Sequence, residues 1–236
     1  MKSLINEVRK KPKVSVIERE IAVCQSCGGT CPKSSNRYFR PTVQSDGTIC
    51  YAECEHAVCC QIPYGNKTFS DYEETSDNAT ARRIAKWFTG ENVTKSLYLY
   101  GETGTGKTFL ASLIARQFEG VIFGDVPSLL GKIKSTFDGA GNSQEILNRY
   151  GSCGLLVLDD LGAGLITEWN VGIIYEIINR RYTAGKRLIV TSNFDIEGLE
   201  NRLSVRDSFT AKRITSRLCE MCIPAFLGTT DRRREK

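Results

Sequence analysis

Histidine is nearly absent from this sequence, and long apolar runs are missing altogether. His56 is the single histidine among 236 residues, so catalytic triads and dyads that need a histidine have almost nowhere to form. No apolar run reaches the roughly 18 residues that a membrane-spanning helix needs. The opening segment, MKSLINEVRKKPK, carries charge without an apolar stretch behind it, unlike a secretory signal. These absences predict a cytoplasmic protein without a membrane partner.

Cysteine, in contrast, is abundant and unevenly placed. Seven of the ten cysteines fall between Cys24 and Cys60. Because the sequence has no secretory signal, a local metal site explains them better than a disulfide scaffold does. Cys24 and Cys27 have the spacing of a knuckle that places two thiolates on one tetrahedral ion. Structural zinc is favoured, since a segment this short and polar cannot fold by apolar burial alone; an iron–sulfur cluster and unliganded thiols are the alternatives.

Composition divides the chain into three parts. Residues 1–62 form a cysteine-rich part, residues 63–76 contain the turn residues of a linker, and residues 77–236 alternate between helix and strand. This alternation predicts an α/β domain with a mainly parallel sheet and helices on both faces. Helices are predicted at 81–88, 107–118, 127–137, 143–150, 168–184 and 210–222, and strands at 96–100, 120–124, 154–159 and 187–192.

Residues 101–108, GETGTGKT, fit the phosphate-loop pattern G-x-x-x-x-G-K-[ST] at every position. A short apolar strand precedes them and an amphipathic helix follows. The glycines let successive amides face one point, and with the positive end of the helix they form a cradle for phosphates. Lys107 is expected to reach the β- and γ-phosphates of ATP, and the Thr108 hydroxyl to bind Mg²⁺. The predicted nucleotide residues are Gly101, Glu102, Thr103, Gly104, Thr105, Gly106, Lys107 and Thr108.

Two further apolar strands end in polar residues. In LLVLDD, residues 155–160, the first polar side chains stand at the carboxyl end of a buried strand, where ligands bind in open α/β sheets. Asp159 is predicted to hold Mg²⁺, and Asp160 to orient and deprotonate the attacking water. RLIVTSN, residues 187–193, repeats the design, and Asn193 is predicted to position that water beside the γ-phosphate.

The three motifs in this order resemble those of the AAA+ ATPases. VLDDLGAG, VTSNF and KRITSRL narrow the resemblance, over roughly residues 65–230, to bacterial replicative-helicase loaders of the DnaC/DnaI type. It implies a P-loop NTPase fold, ATP hydrolysis with Mg²⁺, and binding to the replicative helicase and to single-stranded DNA. It also implies that Arg217 is an arginine finger that acts in trans on a neighbouring subunit, so the protein forms a homo-oligomer. The chain departs from the pattern at Asp160, where many AAA+ enzymes carry glutamate.

The first cysteines and the phrase YAEC resemble the zinc-containing amino-terminal domain of DnaI-type loaders. This resemblance implies that residues 1–62 hold the helicase, and that zinc is bound by Cys24, Cys27, Cys31 and Cys54. Cys50, His56 and Cys59 are substitutes. In the same loaders, a helix before the Walker B strand follows the DNA backbone. Residues 126–137 fit that place, and Lys132 and Lys134 would neutralise phosphates.

Two rival functions share the same nucleotide motifs. An IstB-type transposition accessory ATPase has the same core but would remodel DNA for a transposase; the cysteine-rich amino terminus argues against it. A nucleotide-gated adaptor would bind ATP without turnover, and the shorter carboxylate of Asp160 is compatible with slow hydrolysis.

Overall fold

The computed structural model divides into two compact units, Met1–Cys60 and Gln61–Lys236. In the first unit it describes the backbone of four strands. In the second it describes residues 62–64, 67–90, 93–136 and 142–234 with their side chains.

The four strands of the first unit form an antiparallel sheet in the order β1-β2-β3-β4. Ala22 is paired with Cys31, and Thr42 with Cys50. Cys31 therefore lies within a strand, whereas Cys24, Cys27 and Cys54 lie outside the described residues. The strands are β1 (Ile21–Val23), β2 (Thr30–Ser34), β3 (Arg37–Val43) and β4 (Ile49–Glu53).

Helices and strands alternate in the second unit. Several helices begin where a side chain accepts a hydrogen bond from the first turn, which fixes their start: the carboxylates of Asp125, Asp195 and Asp207 and the hydroxyl of Thr167 do so. After a 3₁₀ turn at Phe69–Asp71, the elements are α1 (Ala79–Phe88), β5 (Ser96–Tyr100), α2 (Lys107–Ala115), β6 (Val121–Asp125), α3 (Val126–Lys134), α4 (Ser143–Ser152), β7 (Leu155–Asp159), α5 (Glu168–Thr183), β8 (Leu188–Ser192), α6 (Ile196–Ser204), α7 (Ser208–Met221) and β9 (Cys222–Phe226).

Five of these strands form one sheet in the order β6-β7-β8-β5-β9, and all their pairings are parallel. The central strands β7 and β8 are buried along their whole length, as expected of apolar strands covered on both faces. The predicted α/β fold with a parallel sheet is therefore confirmed.

Alternate residues of the central strands point to opposite faces of the sheet. Tyr98, Leu156 and Val190 belong to one buried cluster with residues of α3, α4, α5, α6 and α7. Their strand neighbours are also buried and point the other way, where α2 packs against β5, β7 and β8. Helices thus cover both faces. Within the described part of the chain, no helix has the length and apolar character needed to cross a bilayer.

The chain after β9 runs back over the glycine loop. The Leu227 amide donates a hydrogen bond to the Tyr100 carbonyl at 2.8 Å, and the Glu102 amide donates one to the Gly228 carbonyl at 3.2 Å. Further on, the Arg232 amide donates to the Gly104 carbonyl at 3.3 Å. We call residues 227–234 the C-terminal strap.

The segment that composition predicts as a linker packs against α2. Ile62 and Tyr72 are buried, and the rings of Tyr64 and Tyr72 lie 5.1 and 6.0 Å from the ring of Phe109. Residues 62–76 therefore belong, where they are described, to the surface around the phosphate loop.

Candidate nucleotide-binding site

The glycine loop turns sharply between β5 and α2. Gly106, the residue before α2, adopts a φ of 93°, and Gly104 adopts a φ of 84°. L-residues with side chains rarely adopt such angles, so glycine is required at both places. Gly104 also faces the strap, because a Cβ there would overlap the Asp231 carboxylate.

The Lys107 side chain is folded onto its own loop. Its Nζ donates hydrogen bonds to the carbonyls of Gly101 at 2.9 Å and Glu102 at 2.7 Å, and the residue is buried. Burial lowers the pKa of this ammonium, while the carboxylates of Asp160 and Asp159 oppose the shift. The Thr105 hydroxyl also donates to the Glu102 carbonyl, at 2.9 Å. Gly101, Glu102 and Thr105 thus shape the loop.

A hydrogen-bond network joins the glycine loop to the end of β7. The Thr108 hydroxyl contacts both carboxylate oxygens of Asp159, at 3.0 and 3.1 Å. From β8, the Thr191 hydroxyl donates to Asp159 Oδ1 at 2.6 Å and accepts from the Asp160 amide at 2.9 Å. Burial raises the pKa of the Asp159 carboxyl, and the hydrogen bonds from the two threonines work against that shift. The sequence prediction did not include Thr191.

Asp160 leaves the strand in a left-handed conformation, with φ at 57°. Aspartate tolerates this region better than most residues do, and the turn sends the carboxylate away from the buried Asp159 and into the cleft. Asn193, one residue beyond β8, is exposed and lines the same cleft. The structure therefore brings Lys107, Thr108, Asp160 and Asn193 together.

These groups open into a cleft of about 590 Å³. Part of its wall was not predicted as site: Tyr64 and Tyr72 come from the linker segment, Phe109 from α2, and Arg232 and Arg233 from the strap. In the sequence, Arg232 and Arg233 belong to a run of three arginines at 232–234. The remaining lining residues are Asp71, Glu73, Thr75, Thr103, Gly104 and Gly106.

The donors at the base of the cleft fit a magnesium ion. Thr108 and Asp159 offer hydroxyl and carboxylate oxygens, the ligands that Mg²⁺ prefers, and they already meet within 3.1 Å. Asp160 stands next to them in the chain and faces the open cleft. This donor set suits an ion that also binds phosphate oxygens.

Arg217 occupies a different surface. It lies on α7, and its Nε donates a hydrogen bond to Asn179 Oδ1 of α5 at 2.9 Å. It is not among the residues that line the cleft. The structure therefore does not bring Arg217 together with the other predicted site residues.

Comparison with known proteins places this site in a family. The family model described as IstB-like ATP binding protein matches residues 55–234. The chain belongs to this family. Its members bind ATP, which agrees with the phosphate loop and cleft of this IstB-like chain.

Curated relatives and solved structures extend the likeness. The replicative helicase loader DnaC of Buchnera aphidicola subsp. Schizaphis graminum is 30% identical over 154 residues, which is 61% of this chain and 62% of the relative. The loader DnaI of Bacillus subtilis is 26% identical over 176 residues, or 69% of this chain and 56% of the relative. A crystal structure of DnaI superposes with a TM-score of 0.61 and 27% identity, covering 68% of this chain and 90% of that one. The resemblance to DnaC/DnaI-type AAA+ proteins is confirmed, although the chain spans only 56% and 62% of these two curated relatives.

Proposed function

We propose that this protein is an ATP-dependent loader of the replicative DNA helicase. The observation that carries the proposal is the contact of Thr108 with Asp159 at the base of the cleft, because it joins the phosphate loop to the acidic strand end as ATP hydrolysis requires. The names of the curated relatives, both replicative helicase loaders, support the choice of partner.

The residues divide the work of hydrolysis between them. Loop amides and the start of α2 bind the phosphates, and Lys107 moves from the loop carbonyls to the β- and γ-phosphates. Thr108 and Asp159 would hold Mg²⁺, which would neutralise phosphate charge. Asp160 orients and deprotonates the attacking water, and Asn193 positions it. The reaction transfers the γ-phosphoryl group to that water, giving ADP and phosphate.

An aromatic wall is available for the nucleotide base. Tyr64 and Tyr72 contact Phe109 on the side of the cleft formed by the linker segment. Flat aromatic faces bind nucleobases by stacking. The strap arginines Arg232 and Arg233 add positive charge to the lining of the cleft.

A second surface suits single-stranded DNA. Lys132 and Lys134 lie in the last turn of α3 and are exposed. Lys134 also borders a pocket of about 510 Å³ that includes Trp169 and the highly exposed Leu165. A cation beside an indole and apolar surface is the combination that binds a phosphate backbone and a stacked base. Binding there is expected to weaken steeply with salt.

The amino-terminal unit completes the proposal. Cys24, Cys27, Cys31 and Cys54 would bind one zinc ion, and the folded unit would hold the helicase. ATP binding would favour the helicase-bound state on DNA, and hydrolysis would release the helicase ring in the cytoplasm. Arg217 would act in trans within a homo-oligomer.

The test combines nucleotide affinity with partner capture. Full-length protein carrying an affinity tag is purified from native cells in Mg²⁺ and ATP, and the recovered proteins are identified by mass spectrometry. The replicative helicase should be recovered, and Lys107→Ala should weaken ATP affinity at least about tenfold through loss of charge-assisted hydrogen bonds. Lys86→Ala, which removes an exposed lysine of α1, is the matched control.

Other results would identify the rivals. Recovery of a transposase without helicase would favour the IstB-type accessory function. Equal, near-zero phosphate release from wild type and Asp160→Ala, with and without single-stranded DNA, would favour an adaptor that binds ATP without turnover. Undiminished ATP affinity in Lys107→Ala would contradict the nucleotide site itself.

A further inference from the structure

The C-terminal strap contacts both the glycine loop and the linker segment. At the loop, the Arg232 amide donates a hydrogen bond to the Gly104 carbonyl at 3.3 Å. At the linker segment, Arg232 Nη1 donates to the Glu73 carbonyl at 3.1 Å, and Nη2 donates to the Thr75 hydroxyl at 3.2 Å. These two side-chain hydrogen bonds join positions that are 159 and 157 residues apart. We call them the Arg232 clasp.

The turn that accepts the clasp is fixed by α1. Asn78, which is fully buried, accepts a hydrogen bond from the Thr75 amide at 2.9 Å and donates one to the Glu73 carbonyl at 3.1 Å. The Ala79 amide donates to the Thr75 carbonyl at 3.0 Å. The turn therefore keeps its shape without Arg232, and the clasp joins two surfaces that are already formed.

The clasp forms part of the cleft wall. Glu73, Thr75 and Arg232 line the cleft that also contains Lys107. The Arg232 guanidinium lies 5.8 Å from the centroid of the Tyr72 ring, which belongs to the aromatic wall proposed for the nucleotide base. The strap thus bridges the phosphate loop and the aromatic wall.

The clasp can open without disturbing the elements that it joins. Both of its hydrogen bonds are exposed to solvent, so water replaces them at little net cost. Tyr72 and Asn78, in contrast, are buried, and so is Leu227 at the start of the strap. Opening of the clasp therefore leaves the aromatic wall, the turn and the start of the strap in place.

We propose that the Arg232 clasp controls nucleotide exchange, holding a bound nucleotide in the cleft when it is closed and releasing it when it opens. The inference rests on the proposed ATPase function, which provides the nucleotide. Arg232 is a positioning residue, because its two Nη groups bind the linker turn and act on the nucleotide through the cleft wall. Segments that close over a bound ligand often determine how fast that ligand is released.

Stopped-flow fluorescence with the full chain in Mg²⁺ tests the clasp. A ribose-labelled fluorescent ATP or ADP is bound first and then displaced by excess unlabelled nucleotide, which gives the dissociation rate. Mixing without a competitor gives the association rate. Arg232→Ala should raise the dissociation rates of ATP and ADP about tenfold and by the same factor, whereas the association rates should change less, as is usual among variants of one complex.

Arg232→Lys separates the clasp from the charge. A lysine keeps the positive charge but has one ammonium group in place of the planar fork that reaches two acceptors. The dissociation rate of this variant should therefore lie close to that of Arg232→Ala. A wild-type rate in Arg232→Lys would show that the charge alone is sufficient, and it would overturn the clasp.

Arg234→Ala is the matched control within the strap. It removes the same charge from a side chain that is 87% exposed and that contacts Asp231 at 3.5 Å, a kind of surface pair that contributes little. This variant should release nucleotide at the wild-type rate. If it releases nucleotide as fast as Arg232→Ala does, the lost charge of the strap is the cause and the clasp is not. Circular dichroism verifies that all variants are folded.

Thr75→Val tests the partner of the clasp. It removes the hydroxyl that accepts from Arg232 and keeps the shape of the side chain. By itself it should raise the dissociation rate, but it should add nothing to Arg232→Ala, because the hydrogen bond is already lost in that variant. Effects that multiply independently would contradict the clasp.

The pattern of rates distinguishes failure of the clasp from failure of the nucleotide site. Normal dissociation from Arg232→Ala would overturn the clasp and leave the nucleotide site intact. A much larger effect on ATP than on ADP would also overturn it, and would identify Arg232 as a ligand of the γ-phosphate. A wild type with no affinity for either nucleotide would overturn the proposed function, and the clasp with it.

Discussion

Thr191 links the Asp159 carboxylate to the backbone of Asp160, and the proposed function gives these two aspartates different tasks. Thr191 is fully buried, and its hydroxyl donates to Asp159 and accepts from the Asp160 amide. It therefore holds the proposed magnesium ligand and the start of the left-handed turn together. Thr191→Val keeps the shape but leaves a buried amide without its acceptor, which costs about 1–3 kcal/mol in such sites. We expect a lower free energy of unfolding and at least about tenfold slower ATP hydrolysis, measured by denaturant titration and phosphate release. Thr191→Ser keeps the hydroxyl and should retain most of the stability and most of the hydrolysis rate. If Thr191→Val changes neither quantity, Thr191 does not connect the two aspartates in this way.

The Asp159 carboxyl makes stability depend on pH. Burial raises its pKa above the ordinary 3.8, so the folded chain holds this proton more tightly than the unfolded chain does. The stabilising effect of the neutral form is complete below pH 3.8 and is lost as pH rises through the folded pKa. Asp159→Asn should therefore flatten the decline in stability of the metal-free protein as pH rises above 3.8 and also abolish hydrolysis.

Thermal unfolding in a chelator checks this prediction. The melting temperature is followed against pH for wild type, Asp159→Asn and Glu119→Gln, whose side chain is exposed. Glu119→Gln should follow wild type. If the melting temperature of Asp159→Asn falls with pH as steeply as that of wild type, Asp159 is not the titrating group.

At the scale of elements, the C-terminal strap limits what the glycine loop tolerates. Gly104→Ala would place a Cβ into the Asp231 carboxylate and would also strain a φ of 84°. We expect this substitution to weaken ATP affinity at least about tenfold, with part of the loss coming from the displaced strap. Adding Asp231→Gly should recover the part of the ATP affinity that was lost through the displaced strap. A double-mutant cycle measures the coupling between positions 104 and 231. Additive effects would show that the strap does not act on the loop.

Two elements of the second unit escaped sequence prediction for different reasons. β9 contains Pro224, which argues against a central strand. Among the described strands, however, β9 lies at the sheet edge and pairs with β5 alone. α6 has Leu199 and Leu203 on one face and Asp195 as its cap. It was not predicted as a helix because it follows closely on the strand-end motif at residues 187–193. The ten other helices and strands of this unit were predicted near their observed bounds.

The glycine loop is contiguous in sequence, so its pattern identified the core of the site. The contacts of Thr191 with Asp159 and of the strap with Gly104 join residues that are 32 and 127 positions apart. No local pattern encodes such pairs, because they arise only when parallel strands bring their carboxyl ends together. The sequence analysis missed the aromatic wall as well, because Tyr64 and Tyr72 are distant in sequence from Phe109, the residue that they contact.

At the scale of the whole molecule, the amino-terminal unit is predicted to depend on zinc. Metal analysis of the purified full chain should find about one zinc ion per chain, the stoichiometry of a single four-thiolate site. Cys24→Ser and Cys27→Ser should each lose the ion, whereas Cys219→Ser, which alters an exposed cysteine of α7, should keep it. Iron with a visible absorption band would instead identify a cluster, and full zinc content in Cys24→Ser would remove that residue from the ligand set.

The proposed role of Arg217 depends on assembly, since this residue is not among those that line the cleft of its own chain. Arg217→Ala subunits keep an intact phosphate loop, and Lys107→Ala subunits keep the arginine, so each variant alone should hydrolyse ATP at near-background rates. If the arginine acts in trans, an equimolar mixture of the two variants should regain activity. An interface is active when a Lys107→Ala subunit supplies its arginine to the intact phosphate loop of an Arg217→Ala subunit, and random heterologous assembly makes about a quarter of all interfaces of this kind. As a control, the Lys107→Ala subunits are replaced by subunits that carry both Lys107→Ala and Arg217→Ala. This mixture should stay inactive, because no subunit in it supplies an arginine to a neighbour with an intact phosphate loop. Normal turnover by Arg217→Ala alone, or a mixture that stays inactive although its subunits associate, would exclude the finger.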